Sequence, residues 1–305
     1  MKAINFLFFF LIITLCQAQD NADFIGRWDL TINLENGEAP SWLEIRKSGN
    51  STLVGRFVYA SGSARPISEV KVDENQFRFS IPPQWEAGTM DMVFTGKIST
   101  GKLAGTMMFT DGKTYTFNGV RAPELNFSTN PKWGEPIDLF NGKDLAGWKV
   151  MGDNQWVVIE GILISPRSGA NLVSEQKFQD FKVEVEFRYP EGSNSGLYLR
   201  GRYEVQIIDS KGQSPSDILF GGVYGFLTPN QMAAKSAGEW QKYEITLIGR
   251  RVTIIANGIP VIVDQIIPGI TGGALDSREG EPGPFMIQGD HGPVEIRKMT
   301  VTLAQ

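Results

Sequence analysis

The sequence predicts an all-β protein in two parts, a small β-barrel or sandwich followed by a jelly-roll β-sandwich. Short runs that alternate apolar and polar residues, or that are rich in β-branched and aromatic ones, recur along the chain. The 34 glycines and 16 prolines punctuate those runs at turn spacing. No segment sustains an apolar period of about 3.6 residues, and one helical turn is expected, around Pro229 to Lys235. With 305 residues and 41 % apolar content the chain can bury two modest cores.

Residues 1–18 read as a secretory signal peptide, with Lys2 as its positive start, Phe6 to Leu15 as the apolar stretch and Cys16-Gln17-Ala18 as the cleavage region. Leu15 stands where a lipoprotein signal places a small residue, which argues against a lipid anchor. An exported product, periplasmic or secreted, is expected. Cys16 is the only cysteine, so the mature chain is expected to hold no disulfide and no thiol nucleophile. The net charge of −5, without a basic block, speaks against nucleic acid as a partner. Beyond the leader no run is long and apolar enough to predict a membrane span.

Residues 20–122 form the first expected domain. "RWDLTINL", "SWLEIRK", "TLVGRFVYA", "TMDMVFTGKIS" and "KLAGTMMFTDG" read as consecutive hairpin strands. The opening "GRW" and the recurring glycine-bearing strands loosely resemble calycin or lipocalin-like barrels. Residues 123–136, "PELNFSTNPKWGEP", carry three prolines and little periodicity, as a linker does. Residues 137–305 return to strands, including "WVVIEGILIS", "FKVEVEFRY", "SGLYLRGRYEVQIID" and "PVEIRKMTVTL", as a two-sheet antiparallel sandwich requires. Asn257-Gly258, between "RVTIIA" and "IPVIVD", marks a tight hairpin.

The stretch "NSGLYLRGRYEVQIID" sets Arg200, Arg202, Glu204, Gln206 and Asp209 at near-alternate positions among apolar residues. A period of two puts Leu197 and Leu199 on one face with Tyr198 and Arg200 on the other. After Gly201 it puts Arg202, Glu204 and Gln206 opposite Tyr203, Val205 and Ile207. Two readings stay open, a solvated outer face with cross-strand ion pairs and a concave face that grips a hydroxyl-rich ligand. His291, the only histidine, lies beside Asp290 in a glycine-rich turn; it is either incidental or a general base. A lone histidine gives no zinc signature. Lys235 is a solvated lysine by default, and Tyr224, flanked by glycine, either stacks on a sugar or fills the core. Trp148, Trp156 and Trp240, at strand ends, read as core plugs. In the "DLFNGKDL" turn, Asp138, Asn141 and Asp144 offer oxygen ligands for a structural calcium, or form an ordinary turn.

In order, "DLFNGKDLAGW", "WVVIEGIL", "NSGLYLRG" with "YEVQIID", Tyr224-Gly225, "AGEW", Asn257-Gly258 and "IQGDHG" with "VEIRKM" resemble the 3-keto-disaccharide hydrolase family over roughly residues 135 to 304. The family segment reads closer to "LQDHG", so Gly289 stands as an extra residue ahead of His291. The resemblance implies a concanavalin A-like sandwich, secretion and cleavage of glycosides oxidised at sugar C3. Carried over, it implies Glu204, His291, Arg200 and Lys235 as catalytic candidates. Asn194, Gln206, Asp209, Tyr224 and Gln288 are the substrate-binding candidates. No cofactor is required, although a divalent ion, structural or catalytic, fits the chemistry. A separate sugar oxidase acting upstream is implied as a partner. The C3 ketone acidifies the C2 proton, so cleavage runs either by elimination and hydration or by direct hydrolysis between two carboxylates. The alternatives are a non-catalytic carbohydrate-binding module on the same sandwich, and a ligand-carrying N-terminal domain with the sandwich as support.

Overall fold

The computed structural model describes residues 21–125 and 130–305. The expected signal peptide lies outside the described residues. After a short 3-10 turn at Asn21–Asp23 come nine strands: β1 (Gly26–Leu34), β2 (Gly37–Ser48), β3 (Thr52–Val58), β4 (Arg65–Ile67), β5 (Lys71–Asp73), β6 (Gln76–Ile81), β7 (Met92–Ser99), β8 (Lys102–Met108) and β9 (Thr114–Arg121). Their order is β4-β3-β2-β1-β9-β8-β7-β6-β5, every pair antiparallel. Because β1 pairs with β9, the meander curls into a half-barrel that stays open between β4 and β5. Alternation along the strands fills its hollow with Trp28, Leu30, Ile32, Leu43, Ile45 and a group of phenylalanines. Phe79 and Phe94 stack there at 4.7 Å.

The second part supplies β10 (Ile137–Asp138), β11 (Trp148–Met151), β12 (Val157–Ile159), β13 (Ile162–Ser165), β14 (Asn171–Phe178), β15 (Phe181–Arg188), β16 (Asn194–Leu199), β17 (Tyr203–Ile208), β18 (Gln241–Ile248), β19 (Arg251–Ala256), β20 (Ile259–Ile266), β21 (Gly283–Ile287) and β22 (Val294–Leu303). One sheet runs β12-β13-β22-β15-β18-β19-β20, with β10 on β22, and the other runs β11-β14-β21-β16-β17. Their apolar faces meet in one core that includes Trp148, Trp156, Leu197, Leu199, Tyr203 and Val205. This is the all-β sandwich that the strand pattern predicts. The Asn257-Gly258 hairpin between β19 and β20 has φ of 52° and 81°, as a type I′ turn needs. The helical turn expected around Pro229 to Lys235 does not form. Those residues are a loop whose backbone bonds to other elements, Asn230 N–H to the Val261 carbonyl and the Ala233 carbonyl to Asn257 Nδ2.

The two parts dock through the outer faces of β1 and β2. Trp42 is fully buried but belongs to the sandwich core, edge-on to Phe226 at 5.4 Å. Its cross-strand neighbour Asp29 is buried beside Glu279 and Arg250 of the sandwich. The β3–β4 loop closes the contact: the Ala60 carbonyl accepts from Gly273 N–H at 2.8 Å. A side chain at Gly225 would meet Ser63 and Ala64 at 2.7 Å, so this approach depends on glycine.

Candidate active site

On the antiparallel pair β16–β17, Gly196 faces Gln206 and Tyr198 faces Glu204, and their polar members point away from the sandwich core. An ordinary outer face would leave them in water. Here Glu204 is 3 % exposed and Gln206 4 % exposed, so both have been taken out of solvent. The cover comes from the half-barrel and from the loops after β17 and β20. The result is a cleft of about 580 Å³, within the usual range for ligand sites. The sandwich lines it with Asn171, Asn194, Tyr198, Glu204, Gln206, Tyr224, Gln288, Asp290 and His291; the half-barrel adds Ala60, Ser61, Gly62 and Trp85.

Burial pushes the Glu204 carboxyl up to about 8, while the Tyr198 hydrogen bond and the nearby His291 pull the other way. Glu204 is therefore mostly neutral at pH 7. The hydrogen bonds fit a neutral acid. Tyr198 Oη lies 2.9 Å from Glu204 Oε2 and 2.9 Å from the Gly272 carbonyl. One hydroxyl proton serves one acceptor at a time. With Glu204 protonated both contacts are satisfied, the carboxyl donating to Oη and the phenol to the carbonyl. The side chain lies across β16 at Gly196, where an added Cβ would be 2.9 Å from Glu204 Cγ, so glycine makes the room.

His291 Nδ1 is 2.7 Å from Asp290 Oδ1 at the half-exposed rim. That hydrogen bond raises the imidazole above its usual 6.5, against a smaller loss from burial. Gly289, the extra residue, does not displace the pair at random. Its N–H donates to Asn171 Oδ1 at 2.8 Å and its carbonyl accepts from Gly169. Three buried amide oxygens at the cleft, those of Asn194, Gln206 and Gln288, have no hydrogen-bond partner in the protein. Buried acceptors left open cost stability unless a ligand or water fills them.

Of the residues the sequence singles out, Asn194, Glu204, Gln206, Tyr224, Gln288 and His291 meet at the cleft. Arg200, Lys235 and Asp209 do not. Arg200 sits in the β16–β17 turn with φ of 53°, which ends the alternation, and its guanidinium reaches inward to the Gly249 carbonyl at 2.6 Å and Tyr203 Oη at 3.1 Å. Arg202 pins the loop before β21 through Asp276 at 2.8 Å. Lys235 is exposed and donates to the Trp240 carbonyl, and Asp209 Oδ2 accepts the Gly192 N–H across the open end of the β16–β17 hairpin. The sequence reading missed Asn171, Tyr198 and Trp85 as cleft residues. Tyr198 carried a signal, since it shares the parity of the cleft face; Trp85 showed only as a tryptophan in a proline- and glycine-rich loop.

At the possible calcium turn, Asn141 Nδ2 donates to Asp144 Oδ1 at 2.7 Å and both side chains accept backbone N–H groups. Among the described residues no group of three or more His, Cys, Asp or Glu side chains is placed to hold a metal ion. No described helix is long and apolar enough to cross a membrane.

Comparison with known proteins adds the family. A 3-keto-disaccharide hydrolase of Bacteroides thetaiotaomicron is 27 % identical over 96 residues, which cover 27 % of this chain and 32 % of that protein. The match thus spans about a third of the curated relative. A proposed glycosyl hydrolase of Parabacteroides distasonis, known from its crystal structure, is 25 % identical, with a TM-score of 0.47 over 58 % of this chain and 92 % of that one. A second from the same organism is 18 % identical, with a TM-score of 0.44 over 56 % of this chain and 94 % of that one. Residues 135–302, more than half of the sequence and the whole polar side of the cleft, match the 3-keto-alpha-glucoside-1,2-lyase-like domain, and the chain belongs to that family.

Proposed function

We propose that the cleft cleaves glycosides whose sugar carries a ketone at C3, by elimination across C1–C2 followed by addition of water. The observation that carries this reading is the buried Glu204 carboxyl, bonded to Tyr198, in one cleft with the His291–Asp290 pair, and burial raises that carboxyl to about 8. The neutral imidazole of His291 takes the C2 proton, made acidic by the adjacent ketone, and the pair of electrons forms the enolate. Re-formation of the ketone creates the C1–C2 double bond and expels the C1 oxygen substituent, which takes its proton from Glu204. Water then adds, its oxygen to C1 and a proton to C2, and gives the free 3-keto sugar. The amide groups of Asn194, Gln206 and Gln288 hold the ring hydroxyls and orient C2 toward the base. A reaction that oxidises C3 of a glycoside must supply the substrate.

The protonation states set the pH dependence. His291 must be neutral, so activity climbs as pH rises through its raised pKa. Glu204 must be protonated, so activity falls as pH rises through about 8. The test compares 3-keto and unoxidised disaccharides, with released sugar as readout. Release from the 3-keto substrate alone is expected, with losses of about 10²–10⁴ in kcat for Glu204→Gln and for His291→Ala. Binding without release would leave a carbohydrate-binding module instead, and full activity in both variants would remove these residues from the reaction.

A further inference from the structure

We infer that Trp85, on the half-barrel, is the platform on which the leaving-group ring of the glycoside stacks, so the N-terminal domain sets which glycosides are cleaved. This inference rests on the reaction class proposed above and adds a residue outside the matched family region, which begins at residue 135.

Trp85 is 73 % exposed. A singly exposed apolar residue is common and by itself means little. Trp85 differs in its mounting and its place. The loop between β6 and β7 that carries it is held by a buried ion pair, Arg65 Nη2 to Glu86 Oε1 at 2.9 Å, with side chains 8 % and 5 % exposed. The Glu86 Oε2 atom also accepts the N–H groups of Gln84 and Trp85, at 2.7 and 3.1 Å. Arg65 adds a bond to the Pro82 carbonyl, and Gln84 is tied to Ser63 by two hydrogen bonds. A backbone pinned this firmly at Gln84 to Glu86 fixes the angle at which the Trp85 side chain meets the cleft. The ordering entropy of a binding loop is thereby met before any ligand arrives.

The place is the cleft that Glu204 and His291 also line. Trp85 and Tyr224 line the same cleft, and Tyr224 N–H donates to the backbone carbonyl of Glu204 at 3.0 Å. Trp85 thus shares its cleft with the acid that is proposed to protonate the departing oxygen. The polar side of the cleft suits the hydroxyls of the keto sugar. On the half-barrel side the neighbours are small, Ala60, Ser61 and Gly62 with Gly272 and Gly273, so the indole is the large apolar surface there. Such a surface fits the face of a ring, whether the C–H face of a pyranose or an aromatic ring, through dispersion and ring contact.

Methyl, phenyl and glucosyl 3-keto-glucosides of each anomer separate the possibilities, assayed with wild type, Trp85→Ala and Trp85→Phe. The alanine variant is expected to lose about tenfold or more in kcat/KM on the phenyl and glucosyl compounds, the loss of one ring contact. It should stay within about twofold on the methyl compound, which has no ring to lose. Phenylalanine should restore most of the loss. A loss confined to the glucosyl compound assigns the platform to sugars, and a loss on both assigns it to flat rings in general. An equal effect, or none, on all three compounds overturns the inference and leaves the reaction class standing. Failure of the wild type to cleave any of the three overturns both.

Discussion

The half-barrel and the sandwich obey the same rule of alternation and use their second faces differently. In the half-barrel the inner face holds the aromatic core, and the outer face of β1 and β2 becomes a docking surface carrying Trp42 and Asp29. In the sandwich the inner face of the five-stranded sheet holds Leu197, Leu199, Tyr203 and Val205, and the outer face of β16 and β17 carries the cleft. Neither outer face would be dry alone. Around the second, Tyr198, Thr271 and Tyr224 close on Glu204, and its burial raises its pKa. The difference teaches that one rule of alternation yields a docking surface or a cleft according to what packs over the second face, and the half-barrel completes that cleft with Ala60, Ser61, Gly62 and Trp85.

Three substitutions probe that division of labour beyond the tests already given. Trp42→Ala strikes the docking surface and should cost about 3–5 kcal/mol, the range for emptying a large buried aromatic site. Chemical denaturation measures it, and a loss below about 1 kcal/mol would mean that the two parts are held together elsewhere. Asp29→Asn probes the polar half of the same surface. Burial, then the Glu279 charge, raises the Asp29 carboxyl far above its usual 3.8, while Arg250 keeps Glu279 ionised. The folded state thus binds a proton that the unfolded chain releases. That contribution to stability is complete below about pH 4 and is lost as pH rises through the raised value. The amide cannot ionise, so between about pH 6 and pH 10 the variant should lose less in Tm than the wild type, by about 2–4 °C. Parallel Tm curves would exclude a proton at this interface. The smallest effect is expected at Lys235→Ala, outside both the docking surface and the cleft: within about 0.5 kcal/mol in stability and twofold in kcat/KM. A loss of tenfold would return Lys235 to the site.

What was legible in the sequence was local. A period of two is enough to put Glu204 and Gln206 on one face, and the strands place them there. The Asn-Gly hairpin was equally local and forms as its residues require. Arg200 shows the limit of that reasoning: parity holds only inside a strand, and a left-handed residue in the turn sends the guanidinium into the core. Whether a polar strand face is wet or buried depends on what covers it. The cleft at Glu204 has walls from residues more than a hundred positions earlier, and no window on the sequence reports that. For the same reason nothing local singles out Trp85: its neighbours in the cleft, Tyr224 and Gly272, come from the other half of the chain.

The strapped loop at Trp85 has a practical corollary. Its anchors, Arg65, Ser63, Gln84 and Glu86, all belong to the half-barrel, so the strap is a self-contained cassette. Exchanging residues 82–91 for a differently furnished segment, with Glu86 and Gln84 kept, would re-tailor this wall of the cleft without touching the sandwich elements that carry Glu204 and His291.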